Sequence, residues 1–481
     1  MKKIFSLTLL FITLFTTISC DKGFDEVNKN PNEASSLTPD LLLPHGIKTA
    51  VDIYWGGAGL GLDIGPLYAQ HMARIQYTTI DQYIIPTDVI DNAWRDFFIE
   101  SQADFQRIIA LGKIAGNENY QAIGLIMRAW TFSLLTDVYG DIPYKDAIQG
   151  IDGKLLPKYD SQKDIYLGLI TDLKTASDMI NAKTVSSTGD IMFAGDMSRW
   201  KKFANSLSLK LLNRILSKTD TGIDVKAEME RILKDPAKYP VFTSYNDCAF
   251  LTYLGDAPNN NPINQNRKTR DDHRVSLSLT SRLQATNDSR ITIYAEKPEA
   301  GGDYLGIPNG LNVTEANALG LAKTSRLGKF FTQATAPAVL MSYAELLFIK
   351  AEAAYKGVSV AGDAGKLYLD GINASYAQYK IAPSDDFLKA VAYKGGADGY
   401  KQIMEQKWIS LFGEGIEAWT EQRRTGIPDL KAPLVNTNDN VLPTRLPYPS
   451  TEETLNGPNM KDALSKQGGV NDKKLKLWWA K

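Results

Sequence analysis

Met341-Ser-Tyr-Ala-Glu-Leu-Leu-Phe-Ile-Lys-Ala-Glu-Ala-Ala354 is the stretch on which the fold turns. Tyr343, Leu347, Ala351 and Ala354 recur at spacings of three and four, which predicts a helix over Tyr343 to Tyr355 with one apolar face. Ala344 and Phe348 stand four apart, small then aromatic. The small residue lets a second helix approach, and the ring fills the space between the pair. Downstream, Leu367, Tyr368, Ile372, Ser375, Tyr376 and Tyr379 line another helix face. Met404, Trp408, Leu411 and Phe412 mark a third, which Gly413 can stop.

The small-x3-aromatic fragment matches part of the tetratricopeptide pattern, yet no regular 34-residue period runs along the chain. The fold class expected is therefore mainly α: degenerate tetratricopeptide-like helix pairs with long irregular loop insertions. Upstream stripes agree. They run through Trp94, Phe97, Phe98, Ser101, Phe105, Ile108 and Ile109, then through Ile123, Ile126, Met127, Trp130, Leu134 and Val138. Ile165, Leu169, Leu173 and Ile180 form the next, and Trp200, Phe203, Ala204, Leu207, Leu211 and Ile215 the one after. Between residues 240 and 335 the pattern gives way to Gly, Asn, Pro, Asp and aromatics, with the β-prone piece Ile291-Thr-Ile-Tyr294.

Of 481 residues, 54 are basic and 55 acidic, a formal net charge of −1, and no basic block marks nucleic-acid binding. No linker or shift of composition appears after residue 40, so a single large domain is expected over 41–481. The N-terminus has two lysines, an apolar run from Ile4 to Ile18, and then Ser19-Cys20. That layout predicts a signal peptide over 1–19, with Cys20 at a lipobox-like position where acylation would anchor the chain. Residues 20–40 are polar and turn-rich, as a flexible tether requires. Cys248 is the other cysteine, so no disulfide is available once Cys20 carries lipid.

Signs of chemistry are few. His45, His71 and His273 stand apart from ligand-spaced partners, and no H-E-x-x-H, G-x-S-x-G or P-loop occurs, so neither metal nor cofactor is expected. The run Gly56-Gly-Ala-Gly-Leu-Gly61 reads as a flexible loop and Asp271-Asp-His273 as a surface loop. Asp137 and Tyr139-Gly-Asp141 with Pro143 read as a helix stop and turn. Arg423 and Arg424 follow Glu414, Glu417 and Glu421 at near-helical spacing, which predicts local ion pairs.

Several segments together resemble the SusD/RagB family of nutrient-binding outer-membrane lipoproteins, in its second large branch. They are the lipobox cysteine with Phe24-Asp-Glu26 and Asn30-Pro-Asn32; Leu135-Thr-Asp-Val-Tyr-Gly-Asp-Ile-Pro-Tyr144; the opening stretch; Gln406-Lys-Trp408; Glu417-Ala-Trp419 with Arg423-Arg-Thr-Gly426; Arg445-Leu-Pro-Tyr-Pro-Ser450; and Leu477-Trp-Trp479. The resemblance implies a single large SusD-like domain on the cell surface that carries out no chemistry. Its implied partners are a SusC-like TonB-dependent transporter and an oligosaccharide, with the outer membrane reached through the lipid anchor. A peptide-binding member of the same family is an alternative, and a surface glycoside hydrolase a further one. A saccharide site needs aromatic faces flanked by amides and carboxylates. By residue type alone, the candidates for ligand binding are Tyr54, Trp55, Tyr77, Tyr83, Tyr245, Tyr253, Asn259, Asn260, Asn261 and Tyr304.

Overall fold

Side-chain caps set where several of the long helices begin. In the computed structural model, which describes residues 37–56, 59–150, 153–180, 188–433 and 435–481, the first is α1 (Pro39–Trp55). After α2 (Ala103–Ile114), three residues turn the chain into α3 (Glu118–Tyr139). The Asn117 side chain caps α3 by accepting from Asn119 and Tyr120 N–H, and Gly140 at φ 90° stops it. Ser161 caps α4 (Gln162–Met179) and Asp196 caps α5 (Met197–Ile215). Ser342 caps α6 (Tyr343–Tyr355) and Asp363 caps α7 (Ala364–Gln378). Two further helices follow, α8 (Gly396–Ser410) and α9 (Gly415–Thr425). Consecutive helices pack on one another from α2 to α5, and α6 packs on both α7 and α8. The predicted signal peptide and Cys20 lie outside the described residues, and the predicted domain lies within the compact unit Pro39–Lys481.

The opening stretch forms the helix its spacing predicts, but the close approach comes from the partner. Phe348 is fully buried, and a Cβ added at Gly371 of α7 would stand 2.8 Å from its ring. Glycine there lets the two helices meet around the phenyl group.

Antiparallel strand pairs join distant segments: β1 (Met72–Arg74) with β3 (His273–Val275), and β2 (Ala249–Thr252) with β4 (Pro337–Met341). The β-prone piece Ile291–Tyr294 is instead a helical turn, because Arg290 just before it is drawn inside to pair with Asp288 at 2.6 Å. The stripe from Trp94 to Ile109 is not one α-helix either. A π-helical segment, Asp96–Gln102, interrupts it and shifts the phase, so Phe97 is buried while Phe98 is only half-buried. The glycine run is likewise no loose loop throughout, since Leu60–Ile64 is π-helical. Cys248 is a buried thiol that accepts from Tyr343 N–H at 3.1 Å, and burial pushes its pKa up to about 12.

The centre of the molecule holds charge. Arg214 of α5 contacts Asp137 at 3.0 Å, Glu417 at 2.5 Å and Glu421 at 3.2 Å. Lys210 lies 3.0 Å from both Glu345 and Glu417. Lys407 reaches Glu421 at 2.9 Å, and Arg424 reaches Glu352 at 2.6 Å and Glu421 at 2.7 Å. The local ion pairs predicted for the arginines are therefore half the story. Arg424 spans to α6, whereas Arg423 pairs with no carboxylate among the described residues but lies 3.7 Å over the Trp419 ring and donates to Thr444 O. Asp137 does not serve as a helix stop. Its carboxylate accepts from Tyr166 Oη–H at 2.5 Å and Trp479 Nε1–H at 2.9 Å, which absorbs the terminal tryptophan motif.

Burial alone would raise the carboxyl groups of Glu352 and Glu417, but Arg424 on the first and Arg214 with Lys210 on the second hold both at about 2. Their stabilisation is complete above the ordinary glutamate value and is lost as pH falls toward 2. Glu414 goes the other way, raised by burial and by facing Glu345.

Phe348→Ala is expected to cost about 3–5 kcal/mol in urea titration. Gly371→Ala should destabilise as well, since a clash costing about 1–3 kcal/mol exceeds the helix-propensity gain of about 1 kcal/mol; a gain in stability would contradict the packing described. Arg424→Met takes one cation from Glu352, which keeps Lys356, and from Glu421, which keeps Arg214 and Lys407, and should cost about 3 kcal/mol at neutral pH. The deficit relative to the parent should shrink as the pH approaches 2.

Candidate binding site

The residues chosen by type alone divide sharply by burial. Tyr54 and Trp55, at the end of α1, are in the core. Tyr54 meets Trp130 edge-to-face at 5.3 Å, and Trp55 donates from Nε1 to Val339 O at 2.9 Å. Tyr83 is buried edge-on to Tyr68, and Tyr253 is buried with its hydroxyl donating to Asp52 at 2.6 Å. Asn260 holds the turn before it by donating to Leu254 O and Gly255 O, and Asn261 caps the helix Pro262–Arg267. Those six cannot present a face or an amide to a ligand, because a type count does not see which way a ring points. Asn259 is exposed, Tyr245 is half-buried against Phe250, and Tyr304 is half-buried beside Lys297.

Tyr77 is different. It is 65% exposed and holds φ at +54°, a left-handed conformation that costs a non-glycine residue energy and recurs at functional loops. The loop that carries it, residues 75–84, follows β1 and is fixed from below. Arg74 donates to Tyr77 O at 3.4 Å and from its own N–H to Asp81 at 2.7 Å, and the Arg270 guanidinium lies 5.2 Å from the Tyr77 ring centroid. Beneath the loop, Arg74 pairs with Asp63 at 2.5 Å, and the ring nitrogens of His273 lie 3.3 Å from Asp272 and 3.2 Å from Asp63. Asp271-Asp-His273 is thus no surface loop, since Asp272 and His273 are buried in this cluster. Burial lowers the pKa of His273, but the hydrogen bonds to Asp272 and Asp63 outweigh it and the net shift is upward. Among the described residues no group of His, Cys, Asp or Glu is arranged to hold a metal.

Beside the loop runs a groove of about 570 Å³ with apolar walls at Leu277, Leu311, Leu430 and Pro433, along which stand Ser278, Arg282, Asn309, Glu315, Asp429 and Lys431. The loop is fastened to its wall by Asn309 Nδ2–H donating to Asp81 at 3.0 Å and Gln82 Nε2–H donating to Leu311 O at 2.9 Å. Sequence reasoning missed these residues because they come from separate short pieces, Ser278 and Arg282 from the helix Leu277–Ala285, Glu315 from the helix Val313–Leu319, and Asn309, Asp429 and Lys431 from loops. The only local signal was the turn chemistry of Pro308-Asn-Gly310. A second groove, about 720 Å³, is apolar: Trp94, Phe98, Ile99, Leu155 and Leu455 border it, with Arg95, Lys154, Asp91 and Glu452 also along it.

Comparison with known proteins follows from this geometry. The profile of a family described as starch-binding and associating with the outer membrane, SusD-like, matches residues 31–449. Among solved structures, a chitin-binding protein is 28% identical over 92% of this chain and 100% of its own, with a TM-score of 0.80. A SusD homologue from Bacteroides uniformis is 23% identical over 92% of this chain and 99% of its own, with a TM-score of 0.80. A chitin-binding SusD homologue from Flavobacterium johnsoniae is 22% identical over 91% and 98%, with a TM-score of 0.79. No curated protein matches. No helix among the described residues is long and apolar enough to cross a membrane.

Trp55→Ala should lower stability by about 3–5 kcal/mol, whereas Tyr77→Ala should leave it unchanged within about 0.5 kcal/mol. Thermal melts followed by circular dichroism separate the two, and equal effects would contradict the division into core and face.

Proposed function

This chain belongs to the SusD-like family, and on that footing we propose that it captures oligosaccharides at the Tyr77 face and delivers them to a SusC-like TonB-dependent transporter. The observation that carries the reading is Tyr77 itself, an aromatic ring held outward on strained backbone, on a loop fastened to the wall of a groove that carries serine, amide and carboxylate groups among apolar ones. A pyranose presents an apolar face for such a ring and hydroxyls for serine, amide and carboxylate groups, which is the mixture a saccharide site uses. In this reading residues 1–19 direct export and are removed. Cys20 is acylated, residues 20–40 form the tether, and 41–481 bind the nutrient at the outer surface.

Binding without catalysis fits the groove's carboxylates. Hydrolysis needs an acid held protonated near neutral pH. Lys431, hydrogen-bonded to Asp429, instead holds that carboxyl below its ordinary range, and Glu315 is committed to a capping box with Asn312. Peptide capture is a second reading, favoured by the apolar groove at Trp94 and Phe98 with both signs of charge along it.

Calorimetry with maltohexaose, chitohexaose and a casein digest tests these readings. A hexasaccharide should bind with micromolar to millimolar Kd, about −4 to −8 kcal/mol, and Tyr77→Ala should weaken it about tenfold. Undiminished saccharide binding by Tyr77→Ala would place the site elsewhere, binding of the digest alone would favour peptides, and released reducing ends would overturn the non-enzymatic reading. Cys20→Ala should move the protein from the membrane fraction to the soluble one.

A further inference from the structure

Gln162 opens α4 in the core, and it is almost fully buried. Its backbone N–H donates to Asp141 at 2.8 Å and its carboxamide N–H to Thr136 O at 2.7 Å, but the carboxamide oxygen has no partner. A buried acceptor left unpaired costs about 1–3 kcal/mol, so such an atom marks a place where a donor is wanted. Gln162 borders a pocket of about 450 Å³ that shares no residue with the Tyr77 loop or the groove beside it.

The pocket's other walls state what kind of donor fits. Asp141, also buried, stands beside Gln162, and burial pushes its pKa up to about 6. Trp478 borders the pocket as well. Seven of the eight tryptophans are buried and Trp478 alone is half-buried, its Nε1–H donating to Asp220 at 2.9 Å. Around the pocket Lys163, Lys466 and Lys481 face Asp160, Asp164 and Asp220 as well as Asp141, so three ammonium groups stand against four carboxyl groups and the charge is close to balanced. The start of α4 is no anion site, because Asp141 and Ser161 already accept from its N–H groups. An aromatic ring, carboxylate acceptors, ammonium donors and nearly balanced charge suit a neutral polyhydroxylated ligand, whose hydroxyls donate as well as accept.

We propose that the pocket bounded by Gln162, Asp141 and Trp478 is a second saccharide subsite, binding one or two sugar units apart from the Tyr77 face. It rests on the reading of the protein as an oligosaccharide-capturing receptor, and extends it to a chain gripped at two separate places. Two weak contacts on one polymer bind far more tightly together than either alone.

Acrylamide quenching of tryptophan fluorescence reads the pocket directly, since Trp478 is the one indole not buried, and Trp478→Phe assigns the signal. Maltohexaose or chitohexaose at up to about 20 mM should protect the accessible indole, with a midpoint in the millimolar range. Protection should persist in Tyr77→Ala and weaken about tenfold in Asp164→Ala, an exposed wall residue whose loss leaves the fold intact. No protection of the parent by either sugar, as for a pocket that holds water alone, overturns the subsite; so does protection that Asp164→Ala leaves unchanged. Persistent protection alongside unchanged calorimetric binding in Tyr77→Ala counts against the Tyr77 face and leaves the subsite standing.

Discussion

The contact between Arg214 and its three carboxylates is the constraint on which the rest of the molecule depends. Asp137 comes from α3, Arg214 and Lys210 from α5, Glu345 and Glu352 from α6, Lys407 from α8, and Glu417, Glu421 and Arg424 from α9. A charge taken out of water is tolerated only while each partner stays in place. Apolar packing accepts a helix slid by part of a turn, whereas a guanidinium shared among three carboxylates does not. The five helices are thereby held in one register although their residues lie far apart in sequence. Acids outnumber bases in the cluster, and the carboxyl pKa values answer to it: burial and the charge of Glu417 push Glu345 up, and burial with Glu345 and Glu417 pushes Glu414 up.

A rigid helical frame leaves binding to the insertions it holds. The Arg74, Asp63, Asp272 and His273 cluster repeats the central device on a smaller scale, and fixes the 75–84 loop to the β1–β3 pair. That loop keeps both Tyr77 and Tyr83 at positive φ, at +54° and +66°. One ring is turned inward against Tyr68 and the other outward to solvent. The inward tyrosine anchors the loop, and the outward one is free for contact.

Which parts could be read from the sequence follows from what each depends on. Helix existence depends on periodicity, so Tyr343–Tyr355 emerged with its observed bounds. The π-helical shift at Asp96–Gln102 breaks that periodicity by one residue and went unseen. Buried charge was the largest omission. Asp137, Glu345 and Lys407 look like ordinary surface or capping residues until distant partners meet them. The aromatic candidates divided into buried and exposed ones for a related reason. Trp55 and Tyr77 belong to the same class of residue, and only tertiary structure shows that the indole of one donates to Val339 while the ring of the other stands in solvent. Trp478 was noticed as part of a motif, but nothing in Leu477-Trp-Trp479 indicates that one indole is buried and its neighbour is not.

Cys248 has a consequence of a different kind. Its sulfur lies inside the frame, accepts from the first residue of α6, and has its pKa raised by burial, so the native thiol is both shielded and protonated. Thiolate is the reactive form. Alkylation must therefore wait for the β2–α6 region to come apart, and the rate at which a thiol reagent consumes Cys248 becomes a clock for spontaneous opening of the folded chain. The same shielding keeps the sulfur from oxidants and from mixed disulfides in an oxidising compartment for as long as the helices stay closed.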